Sequence, residues 1–325
     1  MKGMLRLAAG ASIPGLAGPL PARARFDFYG VPFEAAASSE GPALAHLRRV
    51  YSYFLREEEE TAAAPAHRLL ILEDGSPQRA AFLRAQGRED AASGDLLVVD
   101  WFDWALVLES EALLRYYASK LLRLGVVAAL EGEFVTLHGA SLQADGGGLL
   151  LVGEAASGKT SLTLGLIERG FRYSADDTTC VRRRDLCCVP FPMPFVVRAD
   201  LSTGRPPLPE LASRRPDIEV LDEPRWLVER WPFVASEFHP TCLVFLGPEG
   251  GAPGEAREIA PSESVLEVLR NVIFPLGADL ERFDPFGADF GFAADLVAGA
   301  KCLRLNTQDL GKAFDTVLGL LADSG

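Results

Sequence analysis

The chain has 325 residues, of which 48% are hydrophobic and 24% charged, and its formal net charge is −13. This composition predicts a globular protein with a sizeable core and room for two domains. The acidic balance excludes a general nucleic-acid or anionic-membrane binder, because both need a basic footprint. No apolar run is long enough for a transmembrane helix.

The five cysteines form no Cys-x-x-Cys pair, and two of them, Cys187 and Cys188, are adjacent. This spacing is typical of neither a zinc site nor a disulfide framework. We therefore expect reduced, mostly buried thiols, which favours a cytoplasmic protein.

The first third of the chain predicts alternating strands and helices but carries no chemical motif. The strands are expected at residues 26–31, 67–72 and 96–99, and helical spacing of apolar residues covers 44–55 and 109–130, with Gly125 as a candidate interruption of the second helix. We assign residues 1–125 to a smaller α+β domain of unknown role.

A different pattern begins near residue 134. The predicted elements are a strand at 134–142, a turn at 144–147, a strand at 148–152, a helix at 160–168 ended by Gly170, and a strand at 171–175. The very apolar second strand is typical of a sheet buried on both faces. The last two strands and the helix between them form one βαβ unit, which predicts an α/β domain over residues 126–325.

Further elements complete this domain. A strand is expected at 241–246, a helix at 262–272, a strand at 301–305 and a closing helix at 310–321. The strand at 241–246 ends in Gly247-Pro248 and not in the acidic residue that commonly helps to hold the metal in P-loop proteins.

A glycine-rich loop between strand and helix matches G-x-x-x-x-G-K-[ST]. Its glycines allow backbone angles that a Cβ would forbid, and its amides lie at a helix N-terminus that favours anions. We expect Lys159 to contact the β and γ phosphates of ATP and the Thr160 hydroxyl to bind Mg²⁺. The predicted nucleotide-binding residues are Gly153, Glu154, Ala155, Ala156, Ser157, Gly158, Lys159, Thr160 and Ser161.

Two adjacent carboxylates, Asp176 and Asp177, follow the strand after this helix. In a parallel βαβ unit both strand ends lie at the same edge of the sheet, so the carboxylates are expected beside the loop. One can hold Mg²⁺ and the other can accept a proton from an attacking hydroxyl.

The hairpin places a histidine in the same region. If residues 144–147 form the turn, Gln143 pairs with Gly148, and counting back puts His138 opposite Gly153. We therefore expect His138 close to the phosphates.

These motifs together resemble the HPr kinase/phosphorylase family. The shared features are His138-Gly139, the loop from Gly153 to Thr160, Arg169-Gly170 and Ala175-Asp176-Asp177, in that order and with closely similar spacing. The resemblance covers about residues 134–181. It implies a P-loop kinase domain of the HPr-kinase/phosphoenolpyruvate-carboxykinase-like type.

The resemblance also implies roles for the two acids. Asp176 would be the proton-transfer group and Asp177 would support the metal together with Thr160, while Lys159 and His138 complete the predicted catalytic set. Where the family carries a glutamate directly after the P-loop, this chain has Ser161. The first third and the proline-rich segment at 190–195 are similar to HPr-kinase-related proteins found beside peptide-modification systems, which implies a peptide or small carrier as partner.

The sequence thus favours a cytoplasmic enzyme that uses ATP and Mg²⁺ to phosphorylate a serine of a protein or peptide, with no nucleic-acid or membrane partner. A homo-oligomer is possible. Two alternatives stay open at this point: a nucleotide-dependent binding module without phosphotransfer, which Ser161 favours, and a small-molecule kinase.

Overall fold

The computed structural model describes residues 3–7, 20–57, 64–89, 91–101, 104–145, 147–199, 208–220, 223–229, 233–249, 251–273 and 288–322. The first elements are β1 (Gly3–Arg6), β2 (Ala22–Phe28), β3 (Val31–Ala37), α1 (Pro42–Val50), β4 (Leu55–Arg56), β5 (His67–Leu72), α2 (Pro77–Ala85), β6 (Asp95–Val99), β7 (Trp104–Leu108) and α3 (Glu111–Leu130). Next come β8 (Phe134–Leu137), β9 (Gly139–Ala144), β10 (Gly147–Val152), α4 (Lys159–Ile167), β11 (Arg172–Ala175), β12 (Thr179–Arg182), β13 (Cys188–Val189) and β14 (Phe195–Arg198). The last are β15 (Ile218–Val220), β16 (Glu223–Val228), β17 (Pro240–Gly247), β18 (Ala256–Glu258), α5 (Pro261–Arg270), α6 (Ala288–Ala298), β19 (Lys301–Asn306) and α7 (Leu310–Ala322).

The protein is a mixed α/β structure that divides into two compact units. Unit 1 comprises Met1–Ala129 and Val197–Leu227, and unit 2 comprises Leu130–Val196 and Val228–Gly325. The predicted domains, 1–125 and 126–325, therefore require correction: the first boundary shifts by four residues, and a segment from the second half belongs to unit 1. This segment includes β15, which pairs with β16. Contacts distant in sequence decide such an insertion, and local patterns do not report them.

Unit 1 is built on a seven-stranded sheet in the order β1-β7-β6-β5-β3-β2-β4. Strands β3 and β5 are parallel, and their neighbours pair antiparallel. An aromatic cluster of Phe26, Phe28, Phe33, Tyr51 and Phe54 is almost fully buried. It supplies much of the apolar burial that stabilises this unit.

Two predictions for unit 1 need correction. The strand expected at 26–31 is the end of β2 followed by a tight turn, in which Tyr29 and Gly30 both have positive φ and Asp27 Oδ1 accepts the Gly30 amide at 2.8 Å. The helix expected to 55 ends at Val50. By contrast, α3 runs through Gly125 without interruption, because the ring of Trp101 packs where a Cβ would lie.

Unit 2 contains a six-stranded sheet in the order β11-β9-β10-β17-β19-β18 and a three-stranded sheet in the order β13-β12-β8. Strands β10, β17 and β19 are mutually parallel, whereas β9 pairs antiparallel with both β10 and β11. Residues 149–152 are fully buried, as their apolar run predicts. The predicted hairpin register is confirmed, because Gln143 pairs with Gly148, although the turn is shorter than expected since Ala144 pairs with Gly147.

The strand expected at 134–142 is broken at His138. Strand β8 belongs to the three-stranded sheet and β9 to the six-stranded sheet. The backbone amide of His138 donates to the Asn271 carbonyl at 2.7 Å and not to a neighbouring strand. His138 thus stands where the chain passes from one sheet to the other. Among the described residues, no helix combines the length and apolarity needed to cross a membrane.

Candidate functional site

Three strands of unit 2 meet at one sheet edge beside the glycine-rich loop. Val152, at the end of β10, pairs with Gly139 at the start of β9, and Ala175 at the end of β11 pairs with Ser141. Strands β10 and β11 run in the same direction with β9 between them, so the predicted adjacency of a simple βαβ unit is wrong. The predicted shared edge nevertheless holds, because β11 and β10 are each antiparallel to β9.

The loop after β10 has the backbone that its glycines allow. A Cβ on Gly153 would lie 2.9 Å from the Leu246 carbonyl oxygen and from Ser157 Oγ. Gly158 has φ +91°, and even Ala156 has a positive φ of 65°. A positive φ on an alanine costs about 1–2 kcal/mol, which marks this turn as one held by its surroundings. Glu154, Ala155 and Ala156 are exposed at the tip of the loop.

Helix α4 begins directly at the end of this loop. Its N-cap is Gly158, which provides no side-chain cap, and no acidic residue lies in the first turn. Ser161 is exposed in that turn, and the buried Ser157 Oγ has no hydrogen-bond partner within the described part of the chain. Uncapped amides at a helix N-terminus, next to an unpaired hydroxyl, suit phosphate oxygens as acceptors and partners.

The side chain of Lys159 is buried and folds back onto the loop. Its Nζ donates to the Gly153 carbonyl at 2.6 Å and to the Glu154 carbonyl at 2.7 Å, and it lies 3.1 Å from His138 Nε2. Burial lowers the pKa of Lys159, while the negative charge of nearby carboxylates opposes that shift. The ammonium therefore sits at the mouth of the loop, where a phosphate would bind.

Asp176 connects the end of β11 to the start of α4. Its Oδ2 accepts the Thr160 hydroxyl at 2.9 Å, while its Oδ1 is buried without a partner among the described residues. Burial raises the pKa of Asp176 to about 7, and the neighbouring Asp177 charge raises it further than the Thr160 hydrogen bond lowers it. A carboxyl group with a pKa near neutrality can both take and release a proton.

Asp177 turns away from Thr160 and towards the histidine. Its φ of 65° places it in the left-handed region. As a result, both its Oδ1 and its own carbonyl oxygen lie 3.2 Å from His138 Nδ1. The predicted pairing of Thr160 with Asp177 thus differs from the observed geometry, in which Thr160 contacts Asp176.

The structure brings His138, Lys159, Thr160 and both aspartates to the mouth of the loop. Within the described ranges, no group of three or more His, Cys, Asp or Glu side chains is placed to hold a metal ion. The oxygen donors present are those of Thr160 and Asp176. Mg²⁺ commonly binds through one or two protein oxygens together with phosphates and water, so this pair fits Mg²⁺ delivered with a nucleotide.

Two contacts at this site have no signal in the sequence. Thr307, after β19, donates to the Ser157 carbonyl at 2.9 Å and so braces the loop. The Asn271 carbonyl, which accepts the His138 amide, fixes the break between β8 and β9. Both partners are more than a hundred residues away in the chain, so only the tertiary structure identifies them.

No protein-family model and no curated protein matches this chain. Among solved structures, the chain is similar to the Hpr(Ser) kinase/phosphatase from Coxiella burnetii, with 16% sequence identity and a TM-score of 0.27. The similarity covers 58% of this chain and 98% of that chain. At this TM-score, the similarity carries no argument about function.

Proposed function

We propose that this protein is an ATP- and Mg²⁺-dependent kinase that transfers the γ-phosphoryl group to a serine hydroxyl of a protein or peptide. One observation carries the proposal: the hydrogen bond of 2.9 Å between Thr160 and Asp176, beside the buried Lys159 ammonium. A hydroxyl, a carboxyl group and an ammonium from separate segments converge at a phosphate-sized loop. Phosphotransferases need these three groups in one place.

The nucleotide would bind through the loop. The first-turn amides of α4 have no side-chain cap, and the α4 N-terminus favours negative charge. Lys159 would exchange its contacts with loop carbonyls for contacts with the β and γ phosphates. Such donors stabilise the charge that develops on the phosphoryl oxygens during transfer.

Thr160 and Asp176 are the residues that would hold Mg²⁺. When bound, the ion supplies positive charge that neutralises the phosphates and orients them for in-line transfer. We assign the metal to these two oxygens on their mutual contact. A role for Asp177 at the metal, which the family resemblance implies, stays a prediction.

Asp176 would also accept the proton of the attacking serine. As the serine oxygen forms its bond to the γ-phosphorus, the bond to the leaving ADP oxygen breaks and the hydroxyl proton passes to the carboxylate. The unpartnered Oδ1 is the atom available for that proton. A pKa of about 7 for Asp176 suits a group that must be ionised before the transfer and protonated after it.

The order of the motifs from His138 to Asp177 supports the finer assignment of unit 2 to the HPr-kinase/phosphoenolpyruvate-carboxykinase-like type. A second candidate function is a nucleotide-dependent binding module without phosphotransfer. The exposed Ser161 favours it, because the kinase family carries an acid at this position. A serine-bearing peptide or carrier as partner and a cytoplasmic location remain parts of the proposal.

The test compares two lysine variants of the full-length protein. Lys159→Ala is expected to weaken Mg-ATP binding at least about tenfold in calorimetry, because a hydrogen bond to a charged group contributes about 1.5–3 kcal/mol. Lys312→Ala, which removes an exposed lysine of α7, is the matched control and should bind as the wild type does. Equal affinity of Lys159→Ala and wild type would rule out the nucleotide site.

Transfer is then followed with γ-labelled ATP and an extract of the native host. A labelled serine on a protein or peptide, lost in Lys159→Ala, supports the kinase. ATP binding without transfer to any acceptor in that extract supports the binding module.

A further inference from the structure

The contacts of His138 join Asp177 to Lys159 in an unbroken line. On one side of the ring, Nδ1 lies 3.2 Å from Asp177 Oδ1 and 3.2 Å from the Asp177 carbonyl oxygen. On the other side, Nε2 lies 3.1 Å from Lys159 Nζ. Each ring nitrogen therefore faces a defined partner.

The partners determine which nitrogen carries the proton. A lysine ammonium has three N–H donors and no acceptor. Two of the donors of Lys159 are used by the Gly153 and Glu154 carbonyls. The third is left for His138, so Nε2 must accept it. A neutral imidazole that accepts at Nε2 carries its hydrogen on Nδ1, and both facing oxygens of Asp177 are acceptors for that hydrogen.

The backbone holds both ends of this line. Asp177 has φ 65°, which turns its side chain and carbonyl back towards the ring. His138 is held at the break between β8 and β9 by its amide contact of 2.7 Å with Asn271. The ring is thus fixed at its own backbone and at Nδ1, and its remaining polar atom is directed at Lys159.

We infer that Asp177 and His138 are positioning residues for the amino group of Lys159: Asp177 selects the Nδ1–H tautomer, and His138 Nε2 then holds Nζ at the mouth of the loop. The role of Lys159 in binding phosphate rests on the function proposed above. Asp177 acts through the ring, and its carboxylate is not a ligand of Mg²⁺. The Thr160 hydroxyl, the expected metal-side group, contacts Asp176.

The tautomer is tested in the full-length protein without nucleotide. Long-range ¹H–¹⁵N spectra distinguish Nδ1–H from Nε2–H imidazoles, and the chain has four histidines. The His138 signal is identified by its loss in His138→Gln. We expect Nδ1–H in the wild type. In Asp177→Asn the amide can donate to Nδ1, so a shift towards Nε2–H is expected. An Nε2–H tautomer in the wild type overturns the inference.

The second test asks whether Asp177 reaches the lysine through the ring. In His138→Gln the amide oxygen can accept from Lys159 without any tautomer to select. We expect Asp177→Asn to change the ATP dissociation constant at least about threefold in EDTA, the lower range for coupled neighbours. In the His138→Gln background the same change should have no effect. Asp145→Asn, at a fully exposed carboxylate, is the matched control.

The outcomes separate this inference from the proposed function. An effect of Asp177→Asn that appears only with Mg²⁺ present, or that persists in His138→Gln, shows direct action at the metal or phosphate and overturns the relay. If the protein binds no ATP, the proposed function fails, and the tautomer measurement still decides the arrangement of the three side chains.

Discussion

The Thr160 hydroxyl donates to Asp176 Oδ2 at 2.9 Å, so the first turn of α4 is tied directly to the end of β11. Only one carboxyl oxygen is used, and the other is buried without a partner among the described residues. This arrangement leaves Asp176 both fixed in position and chemically unsatisfied, which distinguishes it from the half-exposed Asp177. The first two predictions follow from that difference.

Asp176→Asn is expected to retain nucleotide binding and to lose phosphotransfer. The asparagine oxygen can still accept the Thr160 hydroxyl, but the amide cannot take up a proton. We expect the transfer rate to fall by roughly 10²–10⁴-fold, the usual contribution of a positioned acid or base. Single-turnover assays with γ-labelled ATP measure this rate, and Asp145→Asn is the control. Transfer at the wild-type rate would show that another group accepts the proton.

The stability of the protein should depend on pH through Asp176. The folded carboxyl has a pKa of about 7, raised from 3.8 mainly by burial, so between these values the folded state binds more protons than the unfolded state. Its contribution to stability is therefore lost as the pH rises through this window. Relative to the wild type, Asp176→Asn should gain on the order of 4 kcal/mol between about pH 4 and pH 7.

Urea-induced unfolding in EDTA, at several pH values across that window, checks this expectation. Asp145→Asn should follow the wild type, since its carboxylate is fully exposed. A constant stability difference between Asp176→Asn and wild type would show that Asp176 is already ionised in the folded protein.

A pair of glycines separates strain from binding. Gly158 and Gly170 have nearly equal φ of +91° and +93°, so alanine at either position costs roughly 1–2 kcal/mol of stability. Only Gly158 lies at the loop, where an added Cβ would also approach Leu310 Cδ2 at 3.3 Å. We expect Gly158→Ala to weaken ATP binding and Gly170→Ala to leave it unchanged. Calorimetry combined with thermal unfolding measures both effects, and weaker binding in both variants would contradict the assignment.

His46 of α1 predicts acid sensitivity in unit 1. Burial, assisted by the charges of Arg115 and Arg49, lowers its pKa from 6.5 to about 4. The unfolded state binds the proton first, so stability is lost as the pH falls from about 6.5 to 4, by about 3 kcal/mol in all. His46→Leu should remove this loss, whereas His239→Leu, at an exposed position, should not. Urea unfolding near pH 7 and pH 5 tests the difference.

Local patterns predict much of unit 2. The apolar run at 149–152, the hairpin register and the helix ended near Gly170 are all found in the structure, because near neighbours and backbone sterics decide them. The same methods miss α2 and α6. The apolar moment of both helices is weak, and neither carries the clean 3.6-residue period that predicts a helix.

Other failures have tertiary causes. The break at His138 depends on the Asn271 carbonyl, and the assignment of residues 197–227 to unit 1 depends on contacts with chain far away in sequence. A pattern of alternating residues carries no information about which sheet a strand joins. For the same reason, β9 could not be placed between β10 and β11 from the sequence.

By itself, the sequence determined the loop from Gly153 to Thr160, the hairpin that carries His138 towards it and the carboxylates that end the next strand, since each depends on residue type and short spacing. Only the tertiary structure decided that Thr160 meets Asp176 and that His138 meets Asp177. The physical reason is the left-handed backbone of Asp177 directly after the strand. That single dihedral angle, imposed by packing and not by residue type, directs two adjacent acids to different partners.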